Sequence, residues 1–97
     1  MHEIPPKHTT IEKQLQVTQG DVVLENPTGF PRSESNLYCV SPNGDTLWMA
    51  EKPEPNILFL RIALNKEGGT LSTYTTGGHA CELDLRTGKL VSLIRIQ

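Results

Sequence analysis

Turn signals cut the second half of the chain at intervals too short for a helix of ordinary length. Lys66-Glu67-Gly68-Gly69, Gly77-Gly78 and Thr87-Gly88 follow one another, and the segments between them, Thr70 to Thr76 and His79 to Arg86, hold only seven and eight residues. Glycine supplies the positive φ that tight hairpin turns need, so short β-rich segments bounded this way read as strands joined by hairpins. From His79 onward the apolar Cys81, Leu83 and Leu85 alternate with the polar Glu82, Asp84 and Arg86. That period of two belongs to a strand with one buried and one wet face. Three hairpin links in succession predict an antiparallel meander closing on a strand over Lys89 to Ile96.

The first half is punctuated to the same effect. Leu37 to Val40 and Thr46 to Ala50 flank Pro42-Asn43-Gly44-Asp45, whose Asn-Gly pair tolerates the conformations of a tight turn. Gln19-Gly20-Asp21 reads as a turn, and Val22-Val23-Leu24 is a β-branched run stopped by Asn26-Pro27. The two prolines of Lys52-Pro53-Glu54-Pro55-Asn56 break the chain before the apolar run Ile57 to Leu64. Residues 25 to 36 hold two prolines and a glycine among small polar side chains, which predicts the longest loop. Residues 9 to 19 admit two readings. Ile11, Lys13, Leu15 and Val17 sit at period two, whereas Thr9-Thr10-Ile11-Glu12 fits a helix capping box; the β-branched content favours the strand. The fold class expected is all-β, an antiparallel meander of about eight strands.

A chain of 97 residues supports one modest core, so a single domain over 1–97 is expected, with 1–8 as a loose N-terminal arm. Nine basic residues against eleven acidic ones, spread without clusters, leave no electrostatic footprint for nucleic acid. The first residues, MHEIPPKHTTIEKQ, contain no apolar run of signal-peptide type, and no later stretch approaches a membrane span. The expected location is the cytoplasm, with Cys39 and Cys81 as reduced, partly buried thiols.

Aligning Tyr38 to Trp48 with Cys81 to Ser92 superposes Tyr38 on Cys81 and Val40 on Leu83 at an offset of 43, and Gly44 on Gly88 after one extra turn residue. An internal period in the low forties is the size of a four-stranded propeller blade. The chain therefore divides into two four-stranded units, roughly 9 to 51 and 57 to 96. Leu83-Asp84-Leu85-Arg86-Thr87-Gly88-Lys89-Leu90 resembles the closing hairpin of quinoprotein (PQQ-like) β-propeller repeats, and Asn36-Leu37-Tyr38 with Gly44 and Trp48 resembles it more loosely. The chain is also similar to small bacterial all-β proteins with a tryptophan-bearing strand and a final Asp-x-x-Thr-Gly-Lys hairpin. The resemblance implies hairpin geometry and no quinone function, since Ser92 stands where the repeats carry tryptophan. In that hairpin Asp84 and Thr87 are expected to accept bonds from backbone N–H groups and Gly88 to supply a positive φ. Two units are too few to close a propeller. They must curl into a sandwich or partly open barrel, or pair edge to edge with a second copy.

Chemistry-bearing patterns are sparse. His2, His8, His79, Cys39 and Cys81 show no short ligand spacing, so neither a metal nor another cofactor is expected. No nucleophile elbow is present. His79 and Cys81 lie two apart on one strand, facing the same way with Cα atoms about 6 to 7 Å apart. With Glu82 they are the candidate ligand or hydrolase site, set against the plainer reading of a buried thiol beside a half-exposed histidine. Glu82 and Asp84 share the opposite, solvated face. Trp48 and Phe59 read as core. Phe30, in a polar loop beside Arg32, reads either as a partner-binding hot spot or as a plug for the sheet end. With no catalytic constellation, the expectation is a non-catalytic cytoplasmic accessory protein that binds an unidentified protein partner or forms a homodimer, with no nucleic acid or membrane. The alternatives are a small-ligand binder or minor hydrolase at His79, Cys81 and Glu82, and a self-assembling structural protein.

Overall fold

The computed structural model describes residues 4–65 and 69–96. Eight strands follow in order: β1 (Ile11–Val17), β2 (Gly20–Glu25), β3 (Leu37–Val40), β4 (Thr46–Met49), β5 (Phe59–Asn65), β6 (Thr70–Thr75), β7 (His79–Asp84) and β8 (Leu90–Arg95). They form two antiparallel four-stranded meanders, β1-β2-β3-β4 and β5-β6-β7-β8, which do not join into a closed barrel. Among the described residues there is no helix. Residues 9–19 thus take the strand alternative, with Leu15 and Val17 packed against the core. The turn expected at Lys66-Glu67-Gly68 and the candidate ligand His2 lie outside the described residues.

The two meanders are one pattern repeated. In the first hairpins Ile11 pairs with Glu25 and Lys13 with Leu24 across a bulge; Phe59 pairs with Thr75 and Arg61 with Tyr74 across the matching one. In the last hairpins Cys39 pairs with Trp48 and Val40 with Thr46, as Glu82 pairs with Ser92 and Leu83 with Leu90, again with a bulge at the same place. Ser41 and Asp84 occupy the same turn position, each accepting a bond from a glycine N–H, Gly44 or Gly88. The offset of 43 therefore holds in space, and Ser92 is the equivalent of Trp48.

Equivalent residues nonetheless face different neighbours. Leu37, Cys39 and Trp48 of the first sheet pack against Ile62, Leu71 and Leu83 of the second. Val40, the equivalent of Leu83, lies on the far face of its own sheet with Val23 and Tyr38. The contact between units is thus head to tail, the opposite faces of one repeat meeting, as in a stack and unlike a two-fold sandwich.

Specific bonds fix this contact. The indole of Trp48 donates to the Leu85 carbonyl at 2.9 Å, and its ring lies where a Cβ at Gly88 would be. Gly88 has φ +73°, so both the turn and the indole require glycine there. The fully buried Asn36 donates to the carbonyls of Glu25 at 2.7 Å and Phe59 at 2.8 Å and accepts from the Phe59 N–H at 2.8 Å. One side-chain amide thereby ties the second strand of one unit to the first strand of the other.

Over the far face of the first sheet lie residues 4–9, bonded and packed against it where a loose arm was expected. Glu25, 0% exposed, accepts bonds from the backbone N–H groups of Lys7 (2.6 Å), His8 (3.1 Å) and Thr9 (2.9 Å) and from the Tyr38 hydroxyl. Ile4 packs beside Val23, Tyr38 and Val40, and the Lys7 ammonium lies 5.0 Å from the centre of the Tyr38 ring. A carboxylate this deep is tolerated because every contact it makes is a donor.

Candidate interaction surface

The residues with reactive side chains sit inside the fold. His79 is 3% exposed and Cys81 3%, on the face of the second sheet that turns toward the first. Thr75 Oγ1 accepts from the N–H groups of Gly77 (3.2 Å) and His79 (3.1 Å), so its proton is left for His79 Nδ1 at 3.0 Å. His79 Nε2 then carries the ring hydrogen and points at Glu54 Oε2, 3.3 Å away. This Glu54–His79–Thr75 series resembles a relay, but the hydroxyl at its end has both lone pairs engaged and is buried. Glu82 is not part of it. Strand alternation puts its carboxylate on the opposite face, where it accepts from Thr70 Oγ1 (2.9 Å) and Asn65 Nδ2 (3.2 Å). The structure thus brings His79 and Cys81 to one face and separates Glu82 from them.

Both thiols are free and buried. Burial, reinforced by nearby Asp21, pushes the Cys39 thiol up to about 11, and burial alone raises that of Cys81. Thiols held in the protonated form are weak nucleophiles. Among the described residues no cluster of His, Cys, Asp and Glu converges as a metal site.

Of the loop pair, Phe30 is 4% exposed and Arg32 is open to solvent. The His8 ring meets Phe30 edge-on, centroids 4.9 Å apart, and the His8 Nε2 reaches Glu34 at 3.0 Å. Lys52 donates to the carbonyls of Arg32 (2.6 Å) and Glu34 (3.0 Å), its own basicity lowered by partial burial. Phe30 is buried at the sheet end against His8.

Exposed large apolar side chains gather elsewhere. Val91 (59%), Leu93 (46%), Ile94 (64%) and Ile96 (58%) lie on or just past β8, and Tyr74 (47%) stands in the same cross-strand row as Ile94, through Ala80. β8 is an edge of its sheet. Ile96 donates to the Gly78 carbonyl, which fixes the alternation as far as the bulge at Val91: Ser92, Ile94 and Ile96 turn their backbone groups to β7, and Leu93 and Arg95 turn theirs outward.

The other edges are guarded. β1 shows Glu12, Lys13, Gln14 and Gln16 to solvent, and β4, which exposes Leu47 and Met49, is only four residues long. β5 has part of its outer side engaged, Phe59 by Asn36 and the Ile62 carbonyl by Lys13 Nζ at 3.3 Å. Long side chains, brevity and cover are the usual protections of sheet edges. β8 has none of them between Lys89 and Arg95. The uncharged run Leu90-Val91-Ser92-Leu93-Ile94 at the end of a meander was the sequence signal for this surface.

No protein-family model matches the chain, and no curated protein matches its sequence.

Proposed function

We propose that this chain is a non-catalytic interaction protein whose docking surface is the outer edge of its second sheet, centred on β8. The observation that carries the reading is the concentration of exposed aliphatic side chains on β8, the least guarded of the edge strands among the described residues. The burial of His79 and Cys81 supports it, because the side chains best suited to chemistry are committed to packing. A cytoplasmic setting suits two unpaired thiols and completes the proposal.

The test is partner retention. Tagged wild-type protein and two surface variants are expressed in the native host, and co-purifying proteins are quantified. Val91→Thr with Ile94→Thr keeps β propensity while removing the apolar surface, and should lose the specific partner. Arg32→Ala should retain it. Loss with Arg32→Ala and retention with the β8 variant would overturn the assignment.

A further inference from the structure

We infer that the β8 edge takes an extended segment of another protein as an added antiparallel strand, one that is apolar at its centre and acidic at both ends. The inference rests on the docking reading above and names its partner class. Outward N–H and C=O groups at Leu93 and Arg95 supply the ladder that strand addition uses, and the neighbouring aliphatic side chains supply contact for alternate residues. Charge sets the ends of the segment. Lys89 and Arg95 bracket the strand, and neither forms an ion pair among the described residues. The acidic neighbours are committed elsewhere: Glu51 accepts from the Leu90 N–H at 2.8 Å, and Glu82 belongs to the Asn65 and Thr70 network.

The same features argue against a second copy of β8 as the occupant. Antiparallel self-pairing in the register that aligns the whole strand, centred on Ser92, sets Lys89 of each copy opposite Arg95 of the other, and like charges directly opposed destabilise a strand pair.

The experiment titrates isotope-labelled protein with two capped synthetic peptides, EVTVTVE and KVTVTVK, followed by amide chemical shifts and hydrogen exchange at low salt. The acidic peptide should slow exchange at Leu93 and Arg95 and bind about fivefold more tightly than the basic one, a ratio that shrinks as salt rises. The double variant Lys89→Glu, Arg95→Glu, both on exposed side chains, should reverse the order. Equal binding of the two peptides, shifts that map away from β8, or protection of Leu93 and Arg95 by self-association before any peptide is added would overturn the inference. If neither peptide binds while the Val91 and Ile94 substitutions still remove the cellular partner, strand addition fails and docking on β8 stands.

Discussion

Glu25 shows how much one side chain decides. Burial alone would raise its pKa, but bonds from the Tyr38 hydroxyl and from the N–H groups of Lys7, Thr9 and His8 outweigh it and hold the carboxyl below its usual range. The phenol responds in the opposite sense: burial and the adjacent carboxylate hold Tyr38 well above its ordinary value. The signs give a pH profile. A depressed carboxyl stabilises the fold above its unfolded value and loses that contribution as pH falls through the folded one. A raised phenol contributes below its unfolded value and loses this as pH rises past about 10. Urea unfolding should therefore show stability falling on acidification below about pH 5, with a shallower fall in Glu25→Gln. Tyr38→Phe should cost about 1–3 kcal/mol at neutral pH by leaving the carboxylate short of a donor. A neutral result would mean that the arm is not anchored there. The thiols give a second residue-scale expectation: Cys39 and Cys81 should react with a disulfide reagent only at the rate of unfolding, and labelling of native protein at the rate of free cysteine would contradict their burial.

Among the elements, the β7–β8 hairpin carries the join between units. Asp84 accepts the Arg86 N–H at 2.7 Å and Thr87 the Lys89 N–H at 3.2 Å, as the residue types in the turn led one to expect. That the same turn would receive Trp48 was not legible, because the contact depends on how two repeats stack and not on either alone. Gly88→Ala should destabilise through two causes, the left-handed φ at about 1 kcal/mol or more and displacement of the indole. Trp48 is the chain's single tryptophan, so its emission should shift to the red in the variant. An unchanged spectrum would separate the turn from the indole. The strands themselves were readable from period two and turn chemistry. The clamp at Glu25 was not, since a glutamate before Asn26-Pro27 looks like the edge of a loop until the arm folds over it. His79 and Cys81 were correctly placed on one face by alternation, whereas the depth of that face depends on the opposing sheet, which no local pattern records.

At the scale of the molecule, the outward faces of the two repeats differ from the joined ones. Where the first sheet meets its neighbour with Val22, Cys39 and Trp48, the second sheet has Ser72, Glu82 and Ser92 at the equivalent positions. Where the second sheet presents Leu71 and Leu64 inward, the first has Asp21 and Gln16 outward, beneath or beside the arm. Neither outer face is composed to continue the stack, much as terminal repeats of solenoids are polar on their outer side. What remains open is an edge and not a face. Light scattering should give a 10.8 kDa monomer across a wide concentration series, and a mass rising with concentration would contradict the like-charge argument against self-pairing. The most direct test is residue-resolved amide hydrogen exchange on the free protein. An open edge requires Ser92, Ile94 and Ile96 to be protected by β7 while Leu93 and Arg95 exchange fast; equal protection at both sets would show β8 already covered and remove the proposed docking surface.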